Sequence, residues 1–330
     1  MGLAATLGAV AFAAFLWWFA TGAVLGLGRA PEHWHGTALL ALAVPALLAL
    51  LGAWALADIA TPASAFAGFA AGIALWSWHE ASFLFGHVTG ARREPCPAGA
   101  GTGERFRLAL RALRDHEIAL LLTVLLLSAL LWTAPNRIAL DVFLVLWLCR
   151  IASKLCIFEG VPAMAHEMMP DRLAYLKTYF GRGRPGAAFA LAVLAMSIAL
   201  VALVNAAIAA PSAHERVAAT LLATMTALAL LEHLFMVLPI RESRLWTWAL
   251  RSGATDEGRS ARSPRDGGAP SRAARTDRGR RNSRGEGRRT SLIETALVET
   301  WPRTAHGSGG RRLQGVALRP RAVVPHERQA

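Results

Sequence analysis

The sequence predicts an all-α membrane protein. Residues 1–250 are predicted to form a polytopic bundle of about seven transmembrane helices, and residues 251–330 a disordered, basic C-terminal tail. Hydrophobic residues make up 54% of the 330-residue chain and charged residues only 17%, whereas about a quarter of a typical soluble domain is charged. Seven apolar runs are long enough to cross a bilayer, and the excess positive charge falls mainly after residue 250.

The two parts differ in charge as well as in hydropathy. Residues 1–250 contain 17 Lys and Arg and 14 Asp and Glu, a net charge of +3, while residues 251–330 contain 18 Arg and 8 acidic residues, a net charge of +10. The body is therefore neither a soluble α/β enzyme nor a DNA-binding domain. The tail cannot bury enough apolar surface to fold. Attraction to anionic lipid is its functional alternative, and no nucleic-acid partner is expected, because Trp301 alone could stack on bases.

Each apolar run is predicted to be a helix, because backbone polar groups cannot be left unpaired in lipid. Crossing about 30 Å of hydrocarbon takes ~20 residues. The first run lacks a basic n-region, which favours an uncleaved helix over a signal peptide. The seven runs cover residues 3–27, 37–57, 64–86, 112–133, 138–158, 187–210 and 217–239.

Lys and Arg fall on one side of this arrangement. The loops after the third and fifth runs and the segment after the seventh are basic, whereas the opposite loops carry Arg137, Arg216 and little else. Short basic loops stay in the cytoplasm, so the N-terminus is predicted to be periplasmic and the C-terminus cytoplasmic. Within the loop between Pro162 and Pro185, apolar and basic residues alternate, which suits a short helix at the cytoplasmic interface. Residues 245–250 suit a second interfacial anchor.

Ionisable residues inside the spans form a pattern. They are costly in lipid and usually face the interior of a bundle. Here they come from four runs and are predicted to lie in one layer. At 1.5 Å per residue, His79 and Glu232 are ~10 Å inside the cytoplasmic boundary, and the others are near this depth or at the start of their run. The members are His79, Glu80, His116, Glu117, Arg150, Lys154, Glu232 and His233.

Three interpretations of this layer are open. Glu80, Glu117 and Glu232 could pair with the charge partners Arg150 and Lys154 in a structural network. The histidines could instead ligate or hydrogen-bond a tetrapyrrole, since neutral imidazole is a metal ligand. The His-Glu pairs could also hold a di-metal centre, although the Glu-x-x-His spacing of such bundles is absent. No phosphate-binding loop, His-Glu-x-x-His motif or nucleophile elbow is present.

Four stretches of the body resemble one family. They are WSWHEASFLFG at 76–86 with the VTGARR and CP that follow it, the segment from Arg105-Phe106 to His116-Glu117, the segment from Leu146-Trp147 to Gly160-Val161-Pro162, and the segment from Leu231-Glu232-His233 to Leu238-Pro239 with Leu245-Trp246. In order and spacing these stretches are similar to the PuhE-type family of photosynthetic complex assembly proteins, over about residues 1–250.

The resemblance implies a bacterial inner-membrane protein that helps to assemble the photosynthetic reaction-centre and core-antenna complex or to supply it with bacteriochlorophyll. Reaction-centre or core-antenna subunits are then the expected partners, beside the lipid bilayer, and bacteriochlorophyll or a precursor is the expected ligand. This preferred function is non-catalytic. The alternatives are a membrane metalloenzyme of bacteriochlorophyll metabolism that uses the His/Glu layer, and a transporter in which Glu80, Glu117 and Glu232 relay protons.

Overall fold

The computed structural model describes residues 3–162, 169–181, 183–238 and 242–250, and every regular element within these ranges is a helix. The predicted tail, residues 251–330, lies outside the described residues. Two short 3₁₀ helices, Asp171–Tyr179 and Glu242–Trp246, accompany the α-helices. The α-helices are α1 (Leu3–Gly28), α2 (Glu32–Ala55), α3 (Pro62–Leu84), α4 (Thr102–Leu131), α5 (Ile138–Glu159), α6 (Ala187–Ala209), α7 (Ala213–Phe235) and α8 (Thr247–Leu250).

The predicted all-α membrane fold is confirmed. Four helices, α1, α2, α6 and α7, are long and apolar enough to cross a membrane. These helices make the chain compatible with a multi-pass membrane protein in a lipid bilayer. The three other long helices, α3, α4 and α5, carry most of the ionisable layer. Their charged and polar residues reduce their apolar character, although their lengths of 23, 30 and 22 residues are sufficient.

Helix α3 lies at the centre of the bundle and packs against α1, α2, α5 and α7. Small residues allow the helix backbones to approach closely. At Gly72 an added Cβ would collide with Val142 of α5, and at Gly68 it would lie 3.3 Å from Asn136 Oδ1. Larger side chains then fill the remaining space, as where Trp76 meets the edge of Phe143 at 5.5 Å.

The outer helices expose apolar side chains. Helix α2 buries only His35, Ala46 and Ala53 of its 24 residues, and α6 buries only Ala192 and Met196 of its 23. Most of the other residues of the two helices are alanine, leucine, valine or isoleucine, and many of the leucine, valine and isoleucine side chains are more than half exposed. A helix that is apolar all round has no water-facing side, so these surfaces fit lipid.

Polar contacts join neighbouring helices at each end of the bundle. At one end Asn136 donates from Nδ2 to the carbonyl oxygens of Leu56 and Ser64, at 3.2 and 3.1 Å, and His214 Nδ1 lies 2.9 Å from the carbonyl oxygen of Thr61. At the other end Arg172 donates to the carbonyl oxygens of Gly28 and Leu84. Successive long helices therefore run in alternating directions. We call the end that contains Arg172 the basic end.

Helix α4 begins ten residues before the predicted start of its run, residue 112, so that Arg105, Arg107 and Arg111 lie in the helix and not in a loop. At 1.5 Å per residue its 30 residues extend about 45 Å, which is longer than the hydrocarbon core. Arg105 secures this extension, because it donates to the carbonyl oxygen of Phe158 at 3.1 Å and stacks on the Phe158 ring. The apolar run therefore predicts only the part of α4 that would lie in lipid, and the helix itself is longer.

The predicted interfacial helix is a 3₁₀ helix, Asp171–Tyr179, that packs against the protein. A 3₁₀ helix has three residues per turn, so Leu173, Leu176 and Tyr179 share one face. All three are buried, in a cluster with Phe83 of α3 and Ala112 of α4. The alternation of apolar and basic residues therefore reflects packing on α3 and α4.

The last described segment, Glu242–Leu250, lies against α1. Two indole groups donate across this contact: Trp18 Nε1 donates to the carbonyl oxygen of Leu245 at 2.9 Å, and Trp246 Nε1 donates to the carbonyl oxygen of Trp18 at 3.0 Å. Trp246 is buried. The segment was predicted as an interfacial anchor, and in the structure its central tryptophan is part of the protein interior.

We expect Gly72→Ala to destabilise the protein and Gly8→Ala not to. Alanine favours a helix over glycine by about 1 kcal/mol, and nothing lies within 4 Å of a Cβ at Gly8. At Gly72 the added methyl meets Val142, and overpacking costs about 1–3 kcal/mol. The measurement is thermal unfolding of both variants in detergent. Equal or greater stability of the Gly72 variant relative to the Gly8 variant would contradict the close α3–α5 packing.

Candidate functional site

Two ion pairs join α3, α4 and α5 at the predicted layer. Arg150 Nη2 of α5 donates to Glu80 Oε2 of α3 at 3.1 Å, and Lys154 of α5 donates to Glu117 of α4. Trp147 Nε1 donates to the second oxygen of Glu117 at 3.1 Å. Because residues 147, 150 and 154 recur at helical spacing, one face of α5 satisfies carboxylates from both neighbouring helices.

His116 lies beside the Glu80 pair. Its side chain is 1% exposed, and its Nε2 is 4.0 Å from Glu80 Oε1. Its ring packs on Phe83 of α3, with the ring centroids 4.7 Å apart. Among the described residues its Nδ1 has no hydrogen-bond partner. The imidazole therefore fills the space between α3 and α4 at the edge of the ion-pair network.

His79 and His233 each face a hydroxyl group. His79 Nε2 is 2.8 Å from Thr123 Oγ1 of α4, and because that hydroxyl is within 3.1 Å of the Ala119 carbonyl oxygen, we assign the donor role to the imidazole. His233 Nδ1 is 2.8 Å from the carbonyl oxygen of Ala229, and its Nε2 is 3.4 Å from Ser153 Oγ. A neutral ring that donates from Nδ1 and accepts at Nε2 explains both contacts.

These partners separate the predicted metal ligands. Among the described residues, no group of three or more His, Cys, Asp and Glu side chains could hold a metal ion. His79 faces Thr123, His233 faces Ser153 and Glu117 faces Lys154. The hypothesis of a di-metal centre gains no support from this arrangement.

A cavity of about 270 Å³ lies between α1, α3, α5 and α7, next to the ion-pair layer. Apolar side chains form most of its wall, and they include the large residues Trp17, Trp76 and Met225. The charged residues in its lining are Glu80, Arg150 and Glu232. An apolar cavity with a few convergent polar groups is the usual form of a small-molecule site, for which volumes of about 300–1,000 Å³ are typical.

The cavity tests the tetrapyrrole hypothesis. None of the described histidines is in its lining, so His79, His116 and His233 are not placed to ligate a metal in a ring bound there. The lining residues could instead contact the ring, its tail or its polar substituents without ligating a metal. Aromatic and aliphatic side chains can pack on a ring or its tail, while Glu232, Arg150 and Ser153 can hydrogen-bond a polar substituent.

The sequence pattern located the eight ionisable residues but not the groups that orient them. The sequence does not mark Thr123, Trp147 and Ser153, because a hydroxyl or an indole inside an apolar run gives no distinct signal. Helical spacing could have found Trp147, since it lies seven residues before Lys154. The cavity lining from Trp246 could not be inferred, because the contact depends on tertiary packing across the chain.

Comparison with known proteins gives the family. Residues 3–257 match a family described as "Protein of unknown function (DUF3623)". The chain belongs to this family. No solved structure matches the chain.

One relative is an uncharacterized 30.4 kDa protein in the puhA 5′ region of Rhodobacter capsulatus. It is 36% identical to this chain over 242 residues, which are 72% of this chain and 88% of the relative. The family match includes every helix described above and the whole ionisable layer. A location in the puhA region is compatible with a role related to photosynthesis.

We expect Lys154→Met to lower stability and a second substitution, Glu117→Gln, to restore part of the loss. Removing one partner of this partly buried pair leaves the other charge uncompensated, and residues in direct contact have coupling energies of about 0.5–3 kcal/mol. The measurement is thermal unfolding in detergent of the two single variants and the double variant. Strict additivity of the two changes would show that the pair is not coupled. Asp115→Asn is the control, because its pair with Arg114 is exposed and such pairs contribute little.

Proposed function

We propose that this protein is a PuhE-type assembly factor for the bacterial photosynthetic reaction-centre and core-antenna complex. It acts in the membrane without catalysis, by supporting bacteriochlorophyll supply or complex assembly. The observation that carries the proposal is the relative from the puhA 5′ region, which is similar over most of both chains. Neighbouring bacterial genes commonly serve one process, so a role in the same membrane system is the most direct interpretation.

The cavity between α1, α3, α5 and α7 supports a role in handling a lipophilic pigment. Its volume of about 270 Å³ is just below the usual range for ligand sites, so it suits part of a large molecule, such as the edge of a ring or a segment of tail. Bacteriochlorophyll or a precursor combines such apolar parts with polar substituents. Glu80, Arg150 and Glu232, from three different helices, supply polar contacts in its lining.

We further propose seven membrane spans in the bacterial inner membrane, with a periplasmic N-terminus and a cytoplasmic tail. The long helices α1 to α7 alternate in direction, and the basic end carries most of the arginines between spans, which supports a cytoplasmic location for that end. The ion pairs of Glu80 and Glu117 support the inclusion of α3, α4 and α5, because pairing lowers the cost of placing charge in lipid.

Reporter fusions test this topology. We expect a periplasmic signal from fusions near residues 60 and 136 and a cytoplasmic signal from a fusion after residue 251. Residues 60 and 136 follow α2 and α4 and lie at the end of the bundle opposite the basic end, whereas residue 251 follows α8. A cytoplasmic signal at both residue 60 and residue 136 would exclude the seven-span arrangement.

Glu232→Gln tests the function. Glutamine has nearly the volume of glutamate, so we expect a protein level close to normal. Loss of the negative charge from the cavity wall should lower the amount of reaction-centre and core-antenna complexes several-fold. Each variant is expressed in the native host from which the chromosomal gene has been deleted. Immunoblots of the membrane fraction measure the protein level, and absorption spectra measure the amount of the complexes.

The matched control is Glu215→Gln, which makes the same substitution on the same helix at an exposed position outside the cavity. It should leave both protein and complexes unchanged. If complexes fall only in proportion to the protein level of the Glu232 variant, the layer is structural. Normal complexes at normal protein level would reject a functional role for this cavity wall.

A further inference from the structure

A second cavity, of about 300 Å³, lies at the basic end and is separate from the apolar cavity. Its wall is formed by the start of α2, the loop after α3 and the 3₁₀ helix Asp171–Tyr179. No residue of the ion-pair layer is in its lining. The polar residues of this wall are His35, His87, Thr89, Arg93, Arg172 and Tyr175, with Glu32 as the acidic member.

Arg172 holds this wall together. Its Nη1 lies 3.1 Å from His35 Nδ1 and donates to the Leu84 carbonyl oxygen at 3.2 Å, and its Nη2 donates to the Gly28 carbonyl oxygen at 3.0 Å. The His35 ring is stacked on Phe85 with the centroids 4.6 Å apart. The ends of α1 and α3 and the start of α2 are thus fixed around one guanidinium group, and the cavity is built from positioned groups.

Three polar atoms of the wall lack a hydrogen-bond partner among the described residues: Thr89 Oγ1, Arg172 Nε and Tyr175 Oη. Each belongs to a group that can donate, and a buried donor without an acceptor costs roughly 1–3 kcal/mol. The acid nearest to Arg172 is Glu32, at 3.9 Å from Nε, and the Glu32 side chain is 82% exposed. The wall therefore has donors and cations in excess of acceptors.

We propose that this cavity binds the phosphoryl oxyanion of a ligand at the basic end of the bundle. Arg93 and Arg172 supply two positive charges, whereas Glu32 supplies one negative charge. The hydroxyl groups of Thr89 and Tyr175 can donate hydrogen bonds to the oxygen atoms of a phosphoryl group. Charge-assisted hydrogen bonds to phosphate are the strong ones, particularly from arginine. Basic pockets on the cytoplasmic side of membrane bundles bind lipid head groups, and a soluble phosphate would present the same chemistry.

The test uses the purified, delipidated full chain in a non-ionic detergent, with two probes. One is inorganic phosphate, and the other is dihexanoyl phosphatidic acid below its micelle concentration. Both are titrated at constant ionic strength, and binding is followed as an increase in unfolding temperature, because a ligand that binds the folded state stabilises it. Saturable stabilisation by both probes assigns a phosphate site open to soluble ligands. Saturation by the lipid probe alone assigns a lipid head group.

Variants of the wall distinguish the site from general charge attraction. Arg93→Gln should weaken binding of the effective probe by roughly tenfold, since it removes a charged contact, and Tyr175→Phe should weaken it by a smaller factor without a change in charge. Lys177→Gln is the charge-matched control on the same 3₁₀ helix, outside the lining, and should leave binding unchanged. Absence of saturable stabilisation by both probes, or equal weakening by Lys177→Gln and Arg93→Gln, would overturn the proposal.

Discussion

Charge neutralisation between α3, α4 and α5 is the constraint on which the rest of the bundle depends. An ionised side chain near the centre of a bilayer costs about 2.5–3.5 kcal/mol on insertion scales, and these helices contain Glu80, Glu117, Arg150 and Lys154. The structure pairs each carboxylate with a cation from α5. The pairs determine which face of α3, α4 and α5 points inward. They therefore also determine which apolar side chains on these faces are in contact.

The remaining helices follow from this centre. Because α3 is surrounded by protein, its sequence can include tryptophan, serine and histidine, and its small residues set the distance to α5. Helices α2 and α6 have no such role and bury few side chains, so they are nearly uniform in apolar residues. Differences in composition among the helices thus reflect how far each lies from the ion pairs. The outer helices are apolar because they face lipid, and the inner helices contain charged residues that are paired with one another.

Most of the fold could be predicted from the sequence, because membrane helices have a strong and local signal. The starts and ends of α1, α3, α5 and α6 agree with the apolar runs within two residues. Helix α4 was underestimated, because its first turns contain Arg105 and Arg107 and continue the helix without apolar character. The number of spans remains a prediction, since α3, α4 and α5 are not among the four described helices that are long and apolar enough to cross a membrane.

The sequence identifies ionisable residues inside apolar runs, but it does not give the geometry of a site. A run of apolar residues with embedded charge identifies Glu80 or Lys154, but adjacent residues on a helix point about 100° apart, and the sequence does not show which one turns inward. In the structure Glu80 lines the apolar cavity while its neighbour His79 faces Thr123. Axial ligation through the histidines was therefore a reasonable hypothesis that the arrangement of α3 and α4 does not favour.

The exchange of hydrogen bonds between Trp18 and the segment Glu242–Leu250 has a consequence for biosynthesis. Trp246 contributes to the wall of the apolar cavity and is held by a carbonyl group of the first helix. A ribosome releases α1 more than 200 residues before it releases this tryptophan, so for most of translation the cavity has no wall on that side. Only a chain completed to this point encloses the space, and an occupant that requires the full wall can be retained only after synthesis of the bundle.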